Sequence, residues 1–467
     1  MTTTTTTTLP LPLHRLTATA LVALLKKGDV SVLEATNHFL QRIAAHNEAL
    51  QAFTYTSTLR ARRTAKKLDE ARLKGRFPTS SLAGLPFGIK DLYPVRFMPI
   101  RAGSRALGPM IAPVDGANVR RFREAGVVIV GKLATSEFGA MPFTEPDTHA
   151  PTRNPWNLAT TAGGSSGGTA AAVAAGLIPV GHGGDGGGSI RIPAAMCGLF
   201  GFKASRGALH HASPSDKLRL ATEGPLAHSV DDAVALLQVL ARDQRFHTPA
   251  VMPQRLSVRV VIDSSEPVAA PVHPAMVRAT QLVADVLKDL GHDVVGSGAV
   301  PLGLNDFLPV WQRTLAWVSV PKLFGGEVQP ITRWLRDAGK DIAETDARAL
   351  LARLSGAVDS WWGNADLHVL PSVSTLPPTI GSWRHPDPET AFRTGSIPLA
   401  VFTAAFNASG QPAMNIPVRG VHLVDGVDQP LGVQIVARRG EDALLIAVAK
   451  RLEEALGGFD HRPPAFS

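Results

Sequence analysis

Leu21, Leu24 and Leu25 recur at helical spacing, so the segment from Leu16 to Lys27 reads as a helix with Thr17 or Thr19 as its cap. A second helix is expected after Asp29-Val30-Ser31, running through Ile43. Asn118, Val119 and Phe122 share one helical face and place a helix from Asp115 to Ala125. The run Gly126-Val127-Val128-Ile129-Val130-Gly131-Lys132 is β-branched, bounded by glycine and reads as a buried strand. The stretch from Ser80 to Asp91 reads as a turn and then a strand, broken by Pro86 and Gly88 and ending at Lys90. Further along, helices are expected from Val230 to Ala241, Pro274 to Leu290 and Asp442 to Leu456. Strands are expected ending at Asp263, from Asp293 to Val295, near His368 to Pro371 and from Pro430 to Val436. Helix followed by strand is the alternation that builds an α/β fold with a mostly parallel sheet.

One stretch breaks this pattern. From Thr161 to Cys197, two glycine clusters, Gly163-Gly164-Ser165-Ser166-Gly167-Gly168 and Gly186-Gly187-Gly188-Ser189, flank an Ala-rich run, Ala170 to Ala175. The alanines have high helix propensity but small side chains, which predicts a helix packed closely against other backbone. A flexible linker would not alternate with apolar runs or carry Ile190-Arg191-Ile192-Pro193-Ala194. A phosphate-binding loop would need Lys-Ser/Thr after its glycines, and that is missing.

Composition narrows the classes. Of the 467 residues 45% are hydrophobic and 18% charged, which describes a chain with a large core. The net charge of +8 is dispersed. Its densest cluster, Arg60, Arg62, Arg63, Lys66 and Lys67, reads as the solvated face of a helix, with no interleaved aromatics of a nucleic-acid platform. A single cysteine, Cys197, excludes a disulfide framework and reads as a buried core thiol. No His-x-x-x-His or Glu-x-x-His spacing suggests a metal site, and no cofactor is expected. His182 and His228 read as structural. No run of about 18 apolar residues suggests a membrane span. A cytoplasmic chain is expected, with a disordered Thr-rich leader over 1–12 and one domain over 13–467. Five of the seven tryptophans, Trp311, Trp317, Trp334, Trp361 and Trp362, fall in one region. Most read as core, one or two as walls of a substrate pocket.

The pattern Gly163-Gly164-Ser165-Ser166-Gly167-Gly168, an Ala-rich run, then Asp185-Gly186-Gly187-Gly188-Ser189-Ile190-Arg191 resembles the amidase signature family. Leu85-Pro86-Phe87-Gly88-Ile89-Lys90-Asp91 matches the family's lysine segment. The resemblance covers nearly the whole chain and is firmest over 80–240 and 400–456, with a variable substrate-side region over about 300–400. It implies an α/β/α sandwich, a large mixed central sheet covered by helices on both faces. It also implies a Ser-Ser-Lys group. Ser189 would be the nucleophile, Ser165 the bridging serine in a cis peptide, and Lys90 the base. The backbone of Gly139, Ala140 and Met141 would line the acyl side of the cleft. Two departures stand out: Gly186 where the family has Thr, and Gly201-Phe202-Lys203-Ala204-Ser205 in place of Gly-Leu-Lys-Pro-Thr.

The chemistry of the residues fits that reading. A serine hydroxyl needs a base, and a lysine can serve when burial makes it neutral. The amides of Gly186, Gly187, Gly188 and Ser189 could form an oxyanion hole. Asp185 and Arg191 read as structural supports of that loop. The expected activity is hydrolysis of a carboxylic amide, or a related ester, through an acyl-enzyme. The expected partner is a small-molecule amide, with no nucleic acid and no membrane; a homodimer stays open. The alternative is a glutaminase-type subunit of a tRNA-dependent amidotransferase, and a catalytically dead binding module is the third.

Overall fold

The protein is described by a computed structural model over residues 11–211, 213, 215–248, 251–264, 271–320 and 325–467. The first ten residues of the expected leader lie outside that range. The central sheet has eight strands. Their order is Asp293–Gly296, Ser257–Val260, Leu367–Pro371, Leu431–Ala437, Ala413–Val418, Phe200–Lys203, Thr222–Ala227, Gly181–Asp185. The two junctions at the first edge are parallel and the other five antiparallel.

The sheet is the large mixed one that the resemblance implied, and not the mostly parallel one expected from the helix–strand alternation. A parallel pair needs a crossover, whereas an antiparallel pair can be joined by a short return. Ser257–Val260 and Asp293–Gly296 are such a parallel pair, linked through the packed helix Pro274–Asp289. The helix–strand alternation read around Asp115 to Lys132 belongs to a separate sheet of three strands. There Pro86–Lys90 runs parallel to Val128–Leu133, and Phe53–Thr56 pairs antiparallel on the other side.

The helix ends follow their caps. Thr17 accepts from the Ala20 amide and starts Ala18–Lys27, which stops at left-handed Gly28. Ser31 caps the next helix, which runs past Ile43 to Leu50 because Ala44, Ala45, Glu48 and Ala49 are all helix formers. Of the stretch from Ser80 to Asp91 only Pro86–Lys90 is strand, since Ser80–Gly84 is folded into a turn ahead of Pro86. The strand expected to end at Asp263 closes at Val260. The basic cluster lies on Thr58–Leu73, where Ala61 and Ala65 alone are buried.

The Ala-rich helix, Gly167–Ala174, is buried at every position. A side chain at Gly168 would stand 2.4 Å from the Ala134 amide nitrogen, so the helix meets backbone directly. It packs on the short helix Arg191–Cys197, which contacts Phe200–Lys203, Ala413–Val418 and Leu431–Ala437. Pro274–Asp289 and Asp442–Ala455 pack against Leu431–Ala437 and against each other. Cys197 is fully buried, as expected of a core thiol. No helix among the described residues is long and apolar enough to cross a membrane.

Candidate active site

Lys90 ends a strand whose five residues are all buried, between the Leu133 end of its neighbour and the edge strand Gly181–Asp185. Its Nζ donates to Ser165 Oγ at 2.7 Å and Ser166 Oγ at 2.8 Å, with Gly184 O at 3.4 Å. Burial pushes its pKa down to about 7, although the charges of Asp185 and Glu223 pull the other way. Its neighbour Asp91 forms a buried pair with Lys132 at 2.7 Å, which uses that carboxylate elsewhere.

Ser165 follows a cis peptide, Gly164–Ser165, as the resemblance implied. Thr144, not singled out in the sequence, holds this turn. Its Oγ1 donates to Gly163 O at 2.9 Å and accepts from the Gly167 amide at 3.2 Å. Ser166 ends the turn and stands at the start of the buried helix Gly167–Ala174. No pattern in the sequence marks Thr144, because the contact is made across more than fifteen residues by folding alone.

Ser189 is 8% exposed and lines a cavity of about 630 Å³ together with Lys90, Ser165, Gly139, Gly186 and Trp311. Its loop is built on Asp185, the last residue of the edge strand. The Asp185 carboxylate accepts the amides of Gly188 at 2.7 Å and Ile190 at 3.2 Å. Arg191 meets it with Nε and Nη2, both at 2.9 Å. Arg191 also donates to Thr403 O, Gln434 Oε1 and Asn407 Oδ1, and Asn407 returns a bond to Asp185 at 2.9 Å. Burial alone would raise the Asp185 pKa, but the Arg191 charge and hydrogen bonds outweigh it and hold the carboxyl well below the usual range. Asp185 and Arg191 are thus the supports the sequence suggested. Thr403, Asn407 and Gln434 complete the network from distant segments that spacing could not connect.

This network changes one expectation. Gly188 gives its amide to Asp185, so it is not a free donor toward a substrate. Among the described residues, no acceptor meets the amides of Gly186, Gly187 and Ser189. Of the Gly139-Ala140-Met141 segment, only Gly139 faces the cavity. The backbone turns sharply at Phe138 and Gly139, with φ of 50° and 73°, and Met141 folds back onto Ser136, its amide 3.2 Å from Ser136 Oγ. Ala140 and Met141 are buried behind it.

Beside Lys90 lies a second buried group. His182 Nε2 and Glu223 Oε2 are 2.5 Å apart, and the Tyr93 ring lies tilted against His182 with centroids 5.0 Å apart. His228 is held by Val173 O at 2.9 Å. Among the described residues, no three His, Cys, Asp or Glu side chains gather as a metal site.

A family model described as Amidase matches residues 34–309 and 319–446. The chain belongs to the amidase family. The 6-aminohexanoate-cyclic-dimer hydrolase of Pseudomonas sp. (strain NK87) is 34% identical over 492 residues, covering 96% of this chain and 96% of that relative. A solved 6-aminohexanoate cyclic dimer hydrolase complexed with substrate superposes with a TM-score of 0.85 at 29% identity, over 97% of this chain and 100% of that one. A bacterial aryl acylamidase of the amidase signature enzymes superposes with a TM-score of 0.81 at 26% identity, covering 95% and 97%. This amidase has the family's α/β fold and is a hydrolase of carbon–nitrogen amide bonds.

Proposed function

We propose that this amidase cleaves its substrate through an acyl-enzyme on Ser189, with Ser165 passing protons between Ser189 and Lys90. The observation that carries the reading is Lys90 itself, fully buried, 2.7 Å from Ser165 Oγ and with a pKa of about 7. A neutral lysine has two N–H donors and one lone pair. Ser166 Oγ and Gly184 O take the two donors, which leaves the lone pair for the Ser165 proton. Ser165 then accepts the Ser189 proton as Ser189 Oγ attacks the carbonyl carbon. The tetrahedral oxygen meets the amides of Gly186, Gly187 and Ser189. The proton held by Lys90 returns through Ser165 to the amine, the carbon–nitrogen bond breaks, and the amine leaves. Water repeats the sequence on the acyl-enzyme and releases the acid.

No metal or cofactor takes part in this proposal. Its substrate is a small-molecule amide, and an ester with the same acyl group would enter the same steps. A cytoplasmic setting and a single domain over 13–467 belong to the same proposal. The amidotransferase-subunit reading rests on the signature that such subunits share, with the net charge of +8 mildly in its favour. A fluorophosphonate should add its mass to the peptide carrying Ser189 in the purified chain. Labelling at Ser165 or Ser166 would move the nucleophile and overturn the assignment. Turnover of a simple anilide by the chain alone, with no partner subunit, separates the hydrolase from the subunit.

A further inference from the structure

Gly186 does not lie in the left-handed region, so its backbone does not call for glycine. What calls for it is an aromatic ring. A Cβ on Gly186 would stand 3.0 Å from Trp311 Cζ3 and 3.2 Å from Cη2. The indole therefore occupies the space directly above the first amide of the nucleophile loop. It is fixed there from two sides. Nε1 donates to Ala140 O at 3.1 Å, and the ring stacks on Phe307 with centroids 6.0 Å apart. Phe307 in turn stands over Gly187, 3.5 Å from where its Cβ would be.

Both rings come from one helix, Leu304–Ala316, and lie four residues apart on the same face. Thr314 and Leu315 continue that face along the cavity. The polar atoms of this face are already used. The Trp311 nitrogen is taken by Ala140, and Thr314 Oγ1 donates to Val310 O of its own helix at 2.9 Å. Besides Lys90, one guanidinium and two carboxylates reach the same cavity: Arg120 donates to Asp115 O at 2.8 Å, and both carboxylates are occupied. Asp216 accepts the amides of Leu220 and Ala221, and Asp115 is paired with Arg123 at 2.8 Å. The helix thus presents the substrate with an apolar wall that asks for no charge.

We propose that Trp311, seated in the space left by Gly186 and backed by the buried Phe307, is the residue that sets substrate size, and that it selects uncharged amides whose apolar portion packs along the face of Trp311 and Leu315. This rests on Ser189 as the nucleophile. Only then does the indole stand over the loop that receives the carbonyl.

Two substrate series test it: anilides of straight-chain acids of increasing length, and acetamides of straight-chain amines of increasing length. Each is made with a methyl end and with a carboxylate end. The wild type should prefer the methyl-ended compounds. Trp311→Ala should move the preferred length upward in at least one series and change the long-to-short ratio of kcat/KM roughly tenfold. Trp311→Phe keeps a ring but loses the Ala140 bond, and should shift the ratio in the same direction by less. Gly186→Ala should change the ratio in the wild type, because its methyl pushes the indole, and leave it unchanged in the Trp311→Ala background. Identical length profiles in wild type and both Trp311 variants would overturn the proposal. So would a preference for carboxylate-ended substrates, or an equal effect of Gly186→Ala in both backgrounds. Fluorophosphonate labelling of each variant keeps the two readings apart. An enzyme labelled on Ser189 with an unchanged profile refutes the wall alone, and one labelled elsewhere refutes the nucleophile.

Discussion

Lys90 is the residue on which the proposed chemistry turns, and its environment makes a signed prediction. The base must be neutral to accept a proton, and with a pKa of about 7 it is charged below that and neutral above. The rate should rise with pH through about 7 and then level, the apparent value belonging to the coupled Lys90-Ser165-Ser166 group. An amine leaves only when protonated, whereas a phenoxide leaves an ester with far less help. Lys90→Ala should therefore cost the anilide more than the matched phenyl ester, beyond the ~10²–10⁴ of one lost acid–base group. Rates for the pair, measured against pH for wild type and variant, check both statements. Equal losses on the two substrates would make Lys90 a structural charge. Lys203 shows why burial alone does not name a base. It too is buried with a pKa of about 7, yet its bond goes to Ala204 O at 3.2 Å and no serine among the described residues bonds to it. Lys90, Ser165 and Ser189 were legible in the sequence because each sits in a long motif. Ser166 was legible as a residue but not as the second partner of Lys90, since that role depends on which way its hydroxyl points after folding.

At the scale of elements, the turn from Gly181–Asp185 into Arg191–Cys197 carries the Ser189 loop, and its glycines are not alike. Gly188 has φ of 129°, and a Cβ there would stand 2.3 Å from Thr403 Oγ1. Gly187 has ordinary space, with nothing nearer than 3.5 Å. Gly188→Ala should therefore lose about 1–3 kcal/mol of stability, while Gly187→Ala should melt close to the wild type. Thermal unfolding of the two variants decides it; equal melting temperatures would mean the turn relaxes around Thr403. The same glycines explain what stayed illegible. Gly181–Asp185 holds three glycines and reads as loop by propensity, yet it is an edge strand paired to Thr222–Ala227, itself containing Pro225. A side chain at Gly184 would meet the Tyr93 hydroxyl at 2.5 Å, so close approach and not propensity selects the residue. Periodic elements such as Pro274–Asp289 and Asp442–Ala455 were readable because each buries one face. The helix bearing Trp311 was hidden in a different way. Its tryptophans suit a core as well as a pocket, and only the partner across from them tells which. Trp361 and Trp362 turn out to enclose His368, whereas Trp311 faces the cavity.

At the scale of the whole molecule, four histidines far apart in the chain are held neutral by burial. His14, His368 and His461 have pKa values lowered to about 4, and His228 lies well below its ordinary value. In each case burial is the largest cause, and neighbouring arginines add to it. An unfolded histidine titrates near 6.5, so between about 6.5 and 4 the unfolded chain binds protons that the folded chain refuses. The stability linked to these groups is present above 6.5 and is lost as pH falls toward 4. Glu453 works in the opposite direction, since burial raises its pKa to about 7 and its contribution is lost as pH rises. Asp91, Glu137, Glu145 and Asp232 are also raised by burial, but His38, His46, His149, His210, His292 and His422 are lowered by it, so ten histidines stand against five carboxylates and the net slope in this window should be a loss of stability on acidification. His368 isolates the effect. Its ring stacks on Trp361 at 4.1 Å and meets Trp362 edge-on at 4.6 Å, in a position 1% exposed. His368→Phe keeps an aromatic ring between the tryptophans but cannot take a proton. The variant should gain about 2 kcal/mol over the wild type at pH 5 relative to their difference at pH 7.5. Denaturant unfolding of both proteins at the two pH values measures this. A difference that does not change with pH would show that His368 is not a site where acid enters the unfolding of this enzyme.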